Sequence, residues 1–154
     1  MASNYTDRSV DLVAWHGVKP RGWATLSQCL FSKDQKSEVC TGIQRAVQRW
    51  IDTFLTPVGS VTFDKNKGTE FMLDVYTMCT ESDVYVLFNI CNAKALSQLR
   101  NEEAGLQEDE KIDTVKLDHL ELFLGNLSLY VYLTTKAGET TQIILPIDTN
   151  PMAL

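Results

Sequence analysis

Two short runs in the second half of the chain constrain its fold more than anything else in it. Leu127, Leu129, Val131 and Leu133 alternate with Ser128, Tyr130, Tyr132 and Thr134, and Thr141, Ile143, Leu145 and Ile147 repeat the alternation a few residues later. An apolar residue at every second position gives an extended strand one buried face, a period no helix can use. Lys136-Ala137-Gly138-Glu139 separates the two runs as a turn. Residues 112–124 precede them as a further strand, with Gly125-Asn126 as a tight hairpin turn. Three antiparallel strands are therefore expected. Pro146 has no N–H to give to a ladder, which places the last strand at an edge near that point.

Upstream the period lengthens. Val39, Ile43, Ala46, Val47, Trp50, Ile51, Phe54 and Leu55 form one broad apolar stripe and predict a helix. Ser37 or Asp34 is expected to cap its start, and Glu38 suits the positive end of its dipole. Pro57 keeps Thr56 out of helical geometry and ends the helix. Residues 56–71 carry Gly59, Gly68 and an Asn66-Lys67-Gly68 triplet and read as a structured loop. A short helix is expected over 71–78. A long one follows over about 81–103, where Thr80-Glu81-Ser82-Asp83 has the form of a capping box and Val84, Leu87, Phe88, Cys91, Ala95 and Leu99 keep helical spacing. A strand at 84–88 is the competing reading, from the β preference of Val and Tyr. A charged connector over 102–111, with Gly105 as a helix stop, leads to the strands.

These pieces predict an α+β fold, with an N-terminal arm and helices packed on a small three- to four-stranded, mainly antiparallel sheet. The divisions are an arm over 1–36, a domain over 37–148 and a tail over 149–154. In the arm, two glycines and a proline between Trp15 and Trp23 break regular structure. Two tryptophans are costly to leave in water, so an ordered arm that docks them is expected, on its own domain or on a neighbour.

Function classes narrow by chemistry. The chain has 14 Lys and Arg against 20 Asp and Glu, a formal net charge of −6, which offers no footprint for nucleic acid. No apolar run approaches the roughly 20 residues of a membrane helix, and the first thirty residues show no secretory leader. Cys29, Cys40, Cys79 and Cys91 form no close pair, and His16 and His119 are the only histidines. Reduced, mostly buried thiols in a cytosolic product are expected, with no metal and no cofactor. Asp64 with Glu70, or Glu70 with Asp74, could supply paired carboxylates, but nothing marks one as buried, so no catalytic residue is expected. Nucleophile-elbow and phosphate-loop motifs are absent from the sequence. Assembly is the stronger signal. A meander has two edges, each a template for another chain's strand, and Tyr130 and Tyr132 occupy the face opposite Leu129 and Val131.

The order of the pieces carries a resemblance. The helix ending Ile43-Gln44-Arg45-Ala46-Val47-Gln48-Arg49-Trp50-Ile51-Asp52-Thr53-Phe54-Leu55 runs into Thr56-Pro57-Val58-Gly59-Ser60, then Phe63-Asp64, Gly68-Thr69 and Phe71. Over roughly residues 41–148 this resembles the small wedge protein of contractile phage tail baseplates, a family in which some members are labelled lysozyme-like. Two departures stand out. Val61 occupies the place of the family's arginine after the Gly-Ser or Gly-Glu turn, and Asp109-Glu110-Lys111 occupies the place of its Glu-Pro-Arg connector. Lysine lacks the bidentate fork of arginine, so an ion pair there is expected to be looser.

The resemblance implies a non-enzymatic virion component, made in the host cytoplasm and present in six copies. It implies larger wedge proteins and the tail sheath protein as partners, with tail tube or hub proteins as further contacts, and neither nucleic acid nor membrane. It implies sheath initiation by strand addition on 129–133 and 141–145, through Leu129, Tyr130, Val131, Tyr132, Thr141, Ile143 and Leu145. Asp109, Glu110, Lys111 and Asp113 are expected as polar docking residues, and Trp15 and Trp23 as aromatic contacts. The alternatives are another virion connector, such as a head–tail joining or tail-terminator protein, and a peptidoglycan hydrolase using Asp64 and Glu70.

Overall fold

A computed structural model describes residues 10–19, 21–28, 38–78 and 80–149. In chain order the elements are β1 (Asp11–Leu12), β2 (Trp15–His16), β3 (Trp23–Thr25), β4 (Ser27–Gln28), β5 (Val39–Cys40), α1 (Gly42–Leu55), α2 (Phe71–Asp74), a 3-10 turn (Val75–Thr77), α3 (Glu81–Asn101), β6 (Ile112–Phe123), β7 (Asn126–Thr135) and β8 (Thr140–Asp148). The main sheet has the order β3-β8-β7-β6, while β1 pairs with β5 and β2 with β4.

The period-two runs become β7 and β8, and their apolar residues face one way. Leu127, Leu129, Val131, Leu133, Ile143 and Leu145 are all fully buried. α1 and α3 supply the opposing layer. On α1, Ala46, Val47, Trp50, Ile51 and Phe54 point inward, and on α3 so do Val84, Phe88, Cys91, Ala95 and Leu99. Phe54 stacks on Trp50 at 4.9 Å between ring centroids and meets Phe71 at 4.5 Å. One polar relay crosses this core. The Trp50 Nε1 donates to Asn92 Oδ1 at 2.9 Å, and Asn92 Nδ2 donates to the Val115 carbonyl at 3.0 Å, so α1, α3 and β6 are tied without leaving a buried polar atom unpaired.

The mixed α+β architecture with its four-stranded, mainly antiparallel main sheet is as expected; the fourth strand comes from the N-terminal segment, and two local details differ. β3 adds a fourth strand, parallel to β8, with Trp23 opposite Gln142 and Thr25 opposite Ile144. The helix begins at Gly42 behind the N-cap Thr41, not at Val39. Val39 and Cys40 pair instead with Leu12 and Asp11, and Gly42, at φ +63°, makes the turn from strand to helix that a side chain resists. The proposed caps Ser37 and Asp34 lie outside the described residues. The hairpin turn is Leu124-Gly125 rather than Gly125-Asn126, because Phe123 pairs with Asn126 and Leu122 with Leu127, which keeps both leucines on one face. At α3 the box is seen from one side: the Thr80 hydroxyl accepts from the Asp83 N–H at 3.2 Å. The helix reading holds there against the strand.

The described part of residues 1–36 packs into this core. Trp15 and Leu26 are buried in it. Gln48, on the inner face of α1, clips the segment: its Oε1 accepts from the Ala14 N–H at 2.8 Å, and its Nε2 donates to the Leu12 carbonyl at 2.8 Å. The Trp15 indole donates to Asp52 Oδ1 at 3.1 Å. Burial pushes the Asp52 carboxyl up, and that indole bond draws it partly back.

Cys40 and Cys91 are buried free thiols, and Cys29 and Cys79 lie outside the described residues. Burial, reinforced by Asp11, pushes the Cys40 thiol from 9.0 up to about 11. Two pH units leave roughly a hundredfold less thiolate, the reactive form. At pH 8 a thiol-specific reagent should therefore modify Cys40 only after denaturant opens the fold. Rapid native-state labelling at Cys40, located by peptide mass mapping, would contradict its environment. The raised value favours the neutral thiol in the fold, so its stabilising contribution is present below pH 9 and is lost as pH rises through about 11.

Candidate interaction surface

The margins of the sheet decide where another chain could pair. β7 is flanked on both sides, by β6 and by β8. β8 is covered by β3 over Gln142, Ile143 and Ile144, and the Leu26 N–H continues the contact to the Ile144 carbonyl at 3.0 Å. The outer margin of β6 is capped from α3: Asn92 takes the Val115 carbonyl, and the Tyr85 hydroxyl reaches the Leu117 and Asp118 carbonyls at 3.3 and 2.9 Å. Side-chain donors from a covering helix are a recognised way to protect an edge.

This corrects the expected strand-addition platform. Leu129, Val131, Thr141, Ile143 and Leu145 are buried side chains. The backbone of 129–133 lies between neighbouring strands, and β3 occupies most of the margin at 141–145. Among the described residues, 119–123 of β6 and 145–148 of β8 have no strand on their outer side. Both stretches lie at the hairpin end of the sheet. Pro146 stands in the second, consistent with its missing donor.

The face away from the helices carries Tyr130 and Tyr132, and Trp23 covers them. Its ring meets Tyr130 edge-on at 5.3 Å and Tyr132 at 5.0 Å. Thus Trp23 docks on the chain's own sheet. His119 stacks on Tyr130 at 3.9 Å, and its Nδ1 lies 2.5 Å from Asp118 Oδ2. The Tyr130 hydroxyl donates to Glu121 Oε2 at 3.2 Å, and desolvation together with that carboxylate pushes the phenol up.

The four connector residues separate. Glu110 is 1 % exposed and turned inward. Its Oε2 lies 3.3 Å from Arg45 Nη1, its Oε1 accepts from the Gly42 N–H at 3.3 Å, and its carbonyl accepts from Arg49 Nη1 at 3.4 Å. Arg45 in turn holds Asp11 at 3.0 Å. Glu110 therefore fastens the connector to α1, and its carboxylate is not on the surface where docking was expected. Asp113 is exposed, and Asp109 is half-buried beside Gly42. Lys111 pairs with Glu108 at 2.7 Å, which holds the lysine up and the glutamate down. Lysine thus makes one local contact, with a neighbour three residues away.

Asp64 and Glu70, the alternative catalytic pair, each have local partners. Asp64 accepts from the Asn66 N–H at 3.1 Å in an exposed turn. Glu70 is paired with Lys94, and that hydrogen bond holds its carboxyl below the usual range, the opposite of what a general acid needs. Among the described residues no cluster of three His, Cys, Asp or Glu is placed to hold a metal ion, and no helix is long and apolar enough to cross a membrane.

Exposed apolar side chains were the signal missed. Val86 and Ile90 form a second stripe on the outer side of α3. Phe123 and Leu124 stand 72 % and 83 % exposed at the hairpin turn. Leu124 also sits at φ +48°, beside Gly125 at +80°. Two left-handed residues make the kind of turn for which Asn-Gly is the favoured pair. Leu124→Asn should therefore stabilise the fold by about 1 kcal/mol, the lower end of the left-handed penalty, and raise the thermal midpoint by a few degrees. A lower midpoint in a calorimetric scan would show that Leu124 is unstrained or packed.

Comparison of this chain with protein-family models, with curated proteins and with solved structures finds no match.

Proposed function

We propose that this chain is a non-enzymatic structural component of a contractile phage tail baseplate, present in six copies in the virion. In this reading it joins the larger wedge proteins and anchors the first ring of sheath by strand addition, with tail tube or hub proteins nearby. The order of motifs from the α1 helix through Gly68-Thr69-Phe71 to the closing sheet supports the family reading. The observation that carries the mode of action is the hairpin end of the sheet. There, among the described residues, no strand pairs with the outer side of 119–123 or 145–148, and two exposed apolar side chains stand beside them.

Backbone hydrogen bonds from an added strand would hold the partner there, and alternate side chains would select it. The β6 stretch offers the better template, since Pro146 interrupts donation along β8. Hydrogen exchange on the chain mixed with purified sheath subunit tests this directly. Slowed exchange confined to amides of 119–123 is expected. Unchanged exchange throughout the sheet would reject strand addition.

A further inference from the structure

We propose that the β6–β7 hairpin tip is a hydrophobic anchor that inserts into an apolar pocket, rimmed by Lys or Arg, on a different protein. The inference rests on the assembly reading above in taking the partner to be a protein, and goes beyond it in naming the contact. Phe123 and Leu124 are adjacent, large and largely exposed. Leu124 is held in a backbone conformation that suits glycine or asparagine, so the turn carries a bulky apolar group where local preference is for a small or polar one. A cavity of about 210 Å³ reaches Gly125 just behind the tip, lined also by Val75, Val84, Leu122, Leu127 and Thr149. A partner receiving the tip can thus return an apolar side chain of its own.

Charge decides which partner. Residues 117–135 and 139–149 contain no Lys or Arg, and their charged residues are Asp118, Glu121, Glu139 and Asp148. Glu121 is exposed two residues from Phe123, and Asp148 pairs with Asn126 across the strands beside the turn. A second copy of the chain would set carboxylates against carboxylates, and an anionic lipid surface would repel them. A basic-rimmed pocket on another protein satisfies both the apolar tip and its acidic flanks.

The test compares the full chain with Phe123→Ser/Leu124→Asn, after circular dichroism and a thermal scan show both folded. Binding to purified sheath and wedge proteins is measured by biolayer interferometry. The double variant should bind roughly 30-fold or more weakly, as expected for a central apolar anchor. Glu121→Lys should slow association and flatten its salt dependence. Equal binding by both forms overturns the anchor. Tip-dependent binding to vesicles of equimolar phosphatidylcholine and phosphatidylglycerol overturns the protein partner, and a tip-dependent dimer in sedimentation overturns the different partner. Should the unaltered chain bind neither sheath nor wedge protein, the baseplate reading falls. The anchor is then decided by photo-cross-linking from benzoylphenylalanine at position 124 in producing cells. A cross-linked partner peptide with apolar residues beside Lys or Arg supports it, and cross-links to lipid, to a second copy or to nothing overturn it.

Discussion

Glu110→Ala will cost the fold about 3–5 kcal/mol, the range for breaking a buried ion pair by removing one partner. The carboxylate is 1 % exposed and Arg45 is 11 % exposed, so water cannot replace the lost contact on either side. Arg45 keeps Asp11, but Asp11 is 44 % exposed and screened, a weaker neighbour for a buried guanidinium. The Gly42 N–H also loses its acceptor at the first turn of α1. A natural domain has about 5–15 kcal/mol in total, so the variant should sit near the edge of folding at 37 °C. Urea denaturation of Glu110→Ala, Arg45→Ala and the double variant measures the coupling. The double variant should lose clearly less than the two single losses added together, because the two substitutions remove the same buried ion pair. A loss under about 1 kcal/mol for Glu110→Ala would mean that the pair is solvated and the connector is not fastened there.

Glu110 also shows what a sequence reading reaches and where it stops. The meander was legible because alternation reports directly on which side chains face a core. α1 and α3 were legible from their apolar stripes and from Pro57. The number of buried contacts a charged residue makes across 65 positions leaves no local trace, so Glu110 looked like one more acid in a polar connector. The same holds for Gln48, whose side chain clips a segment 34 residues upstream. β3 is three residues long, too short for a period, and its parallel pairing to β8 joins positions more than a hundred residues apart. The helix start was misplaced because Val39 falls on the apolar stripe by spacing, while Thr41-Gly42 makes the break. At the margins, Tyr85 and Asn92 looked like ordinary helical residues, and only the packing of α3 beside β6 shows that they take carbonyls another strand would need. The exposed apolar pair at the hairpin was visible as sequence but not as surface, because exposure depends on the one-residue placement of the turn.

Gly68→Ala should destabilise the chain by about 2–4 kcal/mol, far more than the same change at Gly59. Both glycines have left-handed backbone, φ +99° and +84°, so both substitutions carry a conformational cost of about 1 kcal/mol. Only at Gly68 does the new methyl meet something, lying 2.2 Å from the Thr56 carbonyl oxygen, whereas nothing stands within 4 Å at Gly59. Overpacking against backbone adds about 1–3 kcal/mol, because a carbonyl cannot rotate away as a side chain can. This carbonyl is also engaged, accepting from the Thr69 N–H at 2.9 Å, while the Val58 N–H donates to the Thr69 carbonyl at 3.0 Å. Gln98 holds Gly68 from α3 with two bonds, at 2.9 and 2.8 Å. The Thr69 hydroxyl donates to the Phe54 carbonyl at 2.6 Å, and two residues on, Phe71 enters the core against Phe54. A shift at Gly68 therefore propagates to the helix end, to α3 and to the central aromatic cluster, which is why the loop has no slack to give. Thermal and urea unfolding of the two variants side by side is the check. Equal losses at Gly59 and Gly68 would show that backbone conformation alone sets the cost and that the loop yields.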